Sequence, residues 1–70
     1  MELYLVLKAL RMAKKDAVSQ QRIANKLGIS RSTYAKYETG ERIPPVWVLK
    51  KIAEYFDVSL ADLLELQEKE

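Results

Sequence analysis

The stretch SQQRIANKLGISRSTYAKYETG, residues 19–40, decides the fold, because it contains a short helical segment that is clearly bounded at both ends. Ser19 is a favourable N-cap residue. Apolar residues then recur at helical spacing: Ile23, Ala24 and Leu27. Gly28 is expected to end the helix, since glycine adopts the left-handed conformation without steric cost. The pattern predicts a helix over residues 20–27.

A second helix follows after a turn of only three residues, Gly28-Ile29-Ser30. Ser30 is its expected N-cap and Gly40 its expected end, which predicts a helix over residues 31–39. A turn this short cannot fold two helices back as an ordinary antiparallel hairpin, so it sets them at a wide angle. In this helix-turn-helix geometry the second helix is pushed outward, while the first braces it from behind.

The helix over residues 31–39 has two different faces. At 100° per residue, one face carries the side chains expected to point into the core: Tyr34, Tyr37 and Glu38. The opposite face is small and polar and has one cation: Ser32, Ala35, Lys36 and Thr39. Such a face suits close approach to a groove of duplex DNA. A helix that merely covers a core can show the same pattern.

Three further helices are predicted on either side of this unit. The first covers residues 2–15, with an apolar stripe of Leu3, Val6, Leu7, Leu10 and Ala13. The next covers residues 45–56, because proline at the first helical position loses no internal hydrogen bond. Two prolines stand there, Pro44 and Pro45, and the expected inner stripe is Val46, Leu49, Ile52, Ala53 and Phe56.

The last predicted helix covers residues 60–67. Ser59 and Asp62 have the spacing of a capping box, and the inner residues are Leu60, Leu63 and Leu64. The connections are short throughout, which indicates one compact all-α bundle of five helices over residues 1–70.

The composition argues against several classes of protein. The chain has no Cys and no His, so thiolate and imidazole metal sites are excluded, and no carboxylate-rich calcium loop is present. Catalysis is not expected either, since the sequence has no phosphate-binding loop and no paired acids in a predicted cleft. We therefore expect neither a cofactor nor a metal. No run approaches the roughly 18 apolar residues of a membrane span, so we expect a soluble protein.

Charge is distributed unevenly along the chain. Residues 1–42 contain nine basic and four acidic side chains, whereas residues 43–70 contain three lysines and six acids. A positively charged half attracts polyanions, and an acidic half keeps the rest of the molecule away from them. This asymmetry permits nucleic-acid binding but does not establish it.

The ordered set of residues resembles the Cro and phage-repressor (XRE) type of helix-turn-helix regulator, which has a lambda-repressor-like fold. The resemblance covers roughly residues 3–65. It is carried by Leu7, Leu10-Arg11, Ser19-Gln20, Ile23-Ala24, Leu27 to Thr33, Tyr37 to Gly40, Arg42, Pro44, Leu49, Ile52-Ala53, Val58-Ser59 and Leu63.

The resemblance implies roles for individual side chains. Those at the base-contact positions of the family are Arg31, Ser32, Ala35 and Lys36. Those at its DNA-backbone positions are Gln20, Ser30, Thr33, Thr39, Gly40 and Arg42. Arg11 and Glu38 match a pair that forms an internal salt bridge in relatives. This chain departs from the family at Met12–Val18, which is about two residues longer, so no phosphate contact is assigned to Lys14 or Lys15.

Family members usually bind DNA as dimers, with half-sites about one helical turn apart. Surplus apolar residues, including Leu5 and Met12, indicate a partner surface. We expect a homodimer through the last helix, with an interface of Trp47, Leu63 and Leu66. Alternatively, Trp47 contacts the DNA backbone, and the first helix supplies the dimer contact.

The resulting expectation is a sequence-specific transcriptional regulator. The leading form is a cytoplasmic, nucleoid-associated repressor that occupies a two-fold-symmetric, double-stranded operator through the major groove. The alternative is the DNA-binding antitoxin of a toxin–antitoxin pair, with a basic toxin docked on the acidic residues 54–70. The chain could also be the N-terminal part of a longer regulator.

Overall fold

The computed structural model of the protein describes residues 2–13 and 18–68. These residues form five helices: α1 (Leu3–Ala13), α2 (Gln20–Leu27), α3 (Arg31–Thr39), α4 (Val46–Phe56) and α5 (Leu60–Glu68). The all-α, five-helix fold predicted from the sequence is confirmed. The predicted bounds of α2 and α3 are also confirmed. The predicted end of the first helix, and with it Lys14 and Lys15, lies outside the described residues.

Helix α4 begins one residue later than predicted. Pro45 has φ −68° and ψ 162°, so its backbone is extended and it is the N-cap residue rather than the first helical residue. Helix α5 extends one residue beyond the predicted end, to Glu68. Differences of this size arise because cap residues are only half inside a helix.

Serine side chains cap the N-termini of α2, α3 and α5. The Ser19 and Ser30 hydroxyl oxygens accept hydrogen bonds from the backbone N–H groups of Arg22 at 3.0 Å and Thr33 at 3.1 Å. Ser59 accepts one from the Asp62 N–H at 3.3 Å, which is the serine half of the expected capping box. Each cap satisfies a backbone donor that would otherwise lack an intrahelical partner.

One core joins all five helices. Its buried residues are Leu3, Leu7, Ile23, Ala24, Leu27, Tyr34, Tyr37, Val48, Leu49, Ile52, Ala53 and Leu63. The predicted inner stripe of α4 was partly wrong. Val48 takes the place of Val46, which is exposed, and Phe56 is only half-buried. At 100° per residue, Val46 falls at the margin of the buried arc, whereas Phe56 lies inside it but at the open end of the helix.

The stripes of α1 and α5 are also narrower than predicted. In α1, Val6 and Leu10 are half-buried and Ala13, in the last turn, is exposed. In α5, Leu60 and Leu64 pack only partly against the core. Residues at helix ends lose neighbours on one side, so periodicity alone overestimates their burial.

Helix α3 is held from two sides, because it packs against both α1 and α2. Helix α4 packs against α2 and α5, and α5 returns to α1. Two long-range hydrogen bonds reinforce this arrangement. The Lys51 amine donates to the Leu27 carbonyl at 3.4 Å, and the Gln67 amide donates to the Pro44 carbonyl at 2.8 Å. No other helix packs on the outer side of α3 among the described residues, and Arg31, Ser32, Lys36 and Thr39 are exposed there.

Among the residues described, no helix has the length and apolar character needed to cross a membrane. Over the same residues, no group of three or more acidic side chains is arranged to hold a metal ion.

Candidate nucleic-acid interface

The inner face of α3 is buried as predicted. Tyr34, Tyr37 and Glu38 all lie in the interior, packed between α1 and α2. Anchoring these three side chains fixes the rotation of the helix about its own axis. It therefore determines which residues point to solvent.

The solvent side of α3 forms a shallow depression of about 310 Å³, which we call the outer surface. Its lining residues are Arg31, Ser32, Ala35, Lys36, Thr39 and Glu41. The five that belong to α3 span an arc of about 140° at 100° per residue. Arg31 and Lys36 lie at the two margins of the arc, with small side chains between them. All four residues expected to contact bases thus share one surface.

An ion pair beneath this surface connects α1 to α3. The Arg11 Nε donates to Glu38 Oε2 at 2.7 Å, and its Nη2 donates to Oε1 at 3.0 Å. Both side chains are largely shielded from water, at 12% and 3% exposed. The remaining guanidinium nitrogen, Nη1, donates to the Val18 carbonyl at 3.0 Å. The expected Arg11–Glu38 pair is therefore present, with two parallel hydrogen bonds that fix its geometry.

The ion pair also determines the charge of its members. Burial raises the pKa of the Glu38 carboxyl, but the Arg11 guanidinium, the neighbouring Tyr34 hydroxyl and the Gln20 amide together outweigh burial and hold that pKa below its ordinary value. The hydrogen bond to Glu38 raises the pKa of Arg11. Burial, followed by the Glu38 carboxylate, raises the pKa of Tyr34. At neutral pH the site contains one carboxylate, one guanidinium and one neutral phenol.

The residues expected at the DNA backbone lie around the outer surface, except Thr39, which is part of it. The Gln20 amide donates to Glu38 Oε1 at 3.1 Å, so its side chain is already attached to the ion pair. The Ser30 hydroxyl donates to the Thr33 hydroxyl at 2.9 Å at the start of α3. At the other end, the Thr39 hydroxyl donates to the Lys36 carbonyl at 3.2 Å and also lines the outer surface.

Gly40 and Arg42 lie beside a second depression, of about 230 Å³, formed by the loop after α3 and the start of α1. The Arg42 side chain is exposed there and does not line the outer surface. The structure therefore brings the base-contact candidates together and places Arg42 on an adjacent surface. Such a position suits a contact with a phosphate flanking a groove.

Glu41 is an acidic member of the outer surface that was not predicted from the sequence. A helical wheel that ends at Gly40 cannot include it, because its position depends on the turn after the helix. The signal available in the sequence was the glycine itself, which indicates that the chain reverses there.

The assignment of Leu63 to the expected dimer interface was wrong. Leu63 is 2% exposed and belongs to the core of its own chain, so it has no free surface to offer a partner. Leu66 is half-buried against the core. Trp47 is 53% exposed, and its ring lies 5.7 Å from the Lys51 amine. Ile43 and Val46 are also exposed near it in the chain, which the periodicity of α4 did not predict.

The fold and this surface define a helix-turn-helix domain whose second helix is presented to solvent. Comparison with known families gives the same class, since residues 7–63 match the helix-turn-helix family. The chain belongs to the Cro and phage-repressor type of that family, which confirms the resemblance found in the sequence.

Several curated proteins are similar to this chain. The uncharacterized HTH-type transcriptional regulator YqaE of Bacillus subtilis is 44% identical over 57 residues, which cover 81% of this chain and 49% of YqaE. The HTH-type transcriptional regulator AnsR of the same organism is 43% identical over 76% of this chain and 46% of its own length. The cryptic phage CTXphi transcriptional repressor RstR of Vibrio cholerae is 32% identical over 67% of this chain and 42% of RstR.

The chain spans about half the length of the curated relatives it matches. No solved structure matches it significantly.

Proposed function

We propose that the protein is a sequence-specific double-stranded DNA-binding regulator of transcription, and that α3 enters the major groove. The observation that carries this proposal is the outer surface. Its base-contact candidates are presented together, with two cations at the margins and small side chains between them. The buried Arg11–Glu38 pair holds that surface in a fixed orientation. A helix that is already held in place avoids the cost of ordering its backbone on binding.

Base reading is assigned to Arg31, Ser32, Ala35 and Lys36. Arginine can donate two hydrogen bonds to the O6 and N7 atoms of guanine, and the Ala35 methyl can contact a thymine methyl. Phosphate contact is assigned to Gln20, Ser30, Thr33, Thr39, Gly40 and Arg42. Thr39 lies on the outer surface and the others lie around it, and phosphate contacts fix register without reading sequence.

The proposed operator is two-fold symmetric and is bound by a homodimer. The described residues measure 28 × 23 × 19 Å. That longest dimension is shorter than the spacing of about 34 Å between half-sites on one face of DNA, so each copy covers one half-site. The proposed interface uses Trp47 and Leu66, with the exposed Ile43 and Val46 adjacent in the chain. Occupation of a promoter operator would make the protein a repressor acting at the nucleoid in the cytoplasm.

The proposal is tested by selecting bound sites from random duplex DNA and then measuring affinity for the selected site by fluorescence anisotropy. We expect an enriched sequence with two-fold symmetry. Affinity should fall steeply between low and physiological salt, because bound cationic side chains displace counterions from the phosphates. Recovery of no preferred sequence, or an affinity that does not change with salt, would contradict the proposal.

The dimer is tested separately by sedimentation of the wild-type protein and of Trp47→Ser. We expect the substitution to shift the population toward monomer and to weaken binding to the full operator more than to a half-site. Lys50→Ser, an exposed substitution on the same helix, is the matched control. An unchanged dimer population in Trp47→Ser would remove Trp47 from the interface.

A further inference from the structure

The turn after α3 brings one acidic residue onto the outer surface. Gly40 has a φ of 82°, which reverses the chain. The Arg42 N–H then donates to the Lys36 carbonyl at 3.3 Å, and the Glu41 N–H donates to the Thr39 hydroxyl at 3.4 Å. These two bonds fold residues 40–42 back over the last turn of α3. Glu41 consequently lines the same depression as Arg31 and Lys36.

The Glu41 carboxylate is not neutralised by the cations around it. Within the described residues, Glu41 forms no ion pair, although Arg31 and Lys36 share its surface and Arg42 is the next residue. Its side chain is exposed. An exposed carboxylate without an ion pair can accept hydrogen bonds from a ligand that enters the depression.

A duplex entering the outer surface surrounds this carboxylate with phosphates, which repel it. Only a hydrogen-bond donor on the DNA can compensate, and in the major groove the donors are the amino groups of cytosine N4 and adenine N6. The adenine amino group stands beside the N7 acceptor of the same base, whose lone pair also repels a carboxylate. The cytosine ring presents no acceptor next to N4, and carboxylate side chains accept from that group.

We propose that Glu41 is a specificity-determining residue, which accepts a hydrogen bond from the N4 amino group of a cytosine at one end of each half-site. This inference rests on the proposed function. It also gives a position. The reversal at Gly40 places Glu41 beside the last turn of α3, with Lys36 and Thr39. These two residues lie five and eight positions after Arg31, or about 7.5–12 Å along the helix at 1.5 Å per residue. With α3 lying along the groove, the cytosine is about two to four base pairs from the base that Arg31 reads, at 3.4 Å per base pair.

The test compares wild type, Glu41→Gln and Glu54→Gln in selection from random duplex DNA, followed by competition binding with single-base variants of the selected site. Glu54 is an exposed residue of α4 outside the outer surface, so Glu54→Gln removes the same charge without touching the site. We expect Glu41→Gln to reduce the preference for cytosine at one position of each half-site by about fivefold or more. Glu54→Gln keeps the wild-type preference at every position.

Identical base preferences in wild type and Glu41→Gln would overturn the inference. So would a gain in affinity for all duplexes alike that exceeds the gain of Glu54→Gln, because Glu41 would then face phosphates. Failure of the wild-type protein to select any sequence overturns the proposed function itself, so the two failures are distinguishable. Both positions are exposed, and equal melting temperatures of the three proteins exclude a folding defect.

Discussion

Arg11 Nε lies 2.7 Å from Glu38 Oε2, so the last turn of α1 is joined to the last turn of α3 across 27 positions of sequence. The two side chains are only 12% and 3% exposed, so water hardly reaches the contact. A buried pair of this kind adds little net stability compared with apolar residues of the same volume. The pair instead fixes the rotation of α3 about its own axis, so that the outer surface faces solvent.

Removal of one partner should be costly. Glu38→Ala leaves the Arg11 guanidinium buried without a counter-charge, and we expect a loss of about 3–5 kcal/mol in the free energy of unfolding. A domain of this size has a total stability of only about 4–10 kcal/mol, so the variant should be close to unfolding. Urea denaturation measures the loss.

The double variant Arg11→Met, Glu38→Leu is the matched comparison. It replaces both charges by apolar side chains and should lose less stability than the sum of the two single variants. Additive losses would show that the two charges are independent, against the geometry of the pair.

Stability should depend on pH through Glu38. The pKa of its carboxyl is lower in the folded protein than its ordinary value of 4.5, so the contribution is fully present above that value. It is lost as the pH falls through the lowered folded pKa, because protonation of Glu38 leaves Arg11 unpaired. Free energies of unfolding measured from pH 7 down to pH 3 should show this loss.

A Glu38→Gln variant should be less stable than wild type at neutral pH and approach the wild-type value in acid. Glu54→Gln, at an exposed position, should follow the wild-type curve. A difference between wild type and Glu38→Gln that stayed constant over this range would refute the assignment.

The two glycines that end α2 and α3 should differ in their tolerance of alanine. Both have a positive φ, 77° at Gly28 and 82° at Gly40, so each Gly→Ala change should cost about 1–2 kcal/mol of backbone strain. A Cβ at Gly40 would also lie 3.1 Å from the Tyr4 ring, whereas one at Gly28 meets only the Lys51 amine at 3.9 Å. We expect Gly40→Ala to lower the melting temperature more than Gly28→Ala.

Tyr4→Ala provides the check, because it removes the ring that Gly40→Ala would meet. In this background the two glycine substitutions should have nearly the same effect. If Gly40→Ala remains the more harmful, crowding by Tyr4 is not the reason.

The Tyr34 hydroxyl should contribute little to stability. It is fully buried beside the Arg11–Glu38 pair, and the Glu38 carboxylate contributes to the raised pKa of its phenol, but within the described residues its oxygen has no partner in hydrogen-bond geometry. Removing an unpaired buried polar group has almost no cost. We expect Tyr34→Phe to change the free energy of unfolding by less than about 1 kcal/mol, while Tyr34→Ala loses about 3–5 kcal/mol through the cavity. A loss of 2 kcal/mol or more in Tyr34→Phe would show that the hydroxyl is paired.

Sequence reasoning succeeded where local rules determine structure. Ser19, Gly28, Ser30 and Gly40 are caps whose chemistry acts over three or four residues, and they located α2 and α3 to the residue. The inner face of α3 followed from helical periodicity. The pairing of Arg11 with Glu38 came from resemblance, since no local rule connects residues 27 positions apart.

The errors occur where burial depends on neighbours distant in sequence. Val46 was assigned to the core and is exposed. Leu63 was assigned both to the inner face of α5 and to the dimer interface; the structure confirms the first assignment and contradicts the second. Periodicity gives the direction in which a side chain points, but not what lies in that direction. Glu41 was overlooked for a related reason, because its position depends on the backbone turn at Gly40 and not on the helix.

The central claim is that the outer surface of α3 reads base sequence, and the effect of Arg31→Ala on base preference tests it most directly. The measurement compares affinities for the selected site and for its single-base variants, with Lys8→Ala, an exposed cation of α1, as the control. We predict that Arg31→Ala loses about 1–3 kcal/mol on the selected site and loses discrimination at one base pair of each half-site, while Lys8→Ala discriminates as wild type does. An Arg31→Ala protein with unchanged affinity and unchanged base preference would contradict the claim.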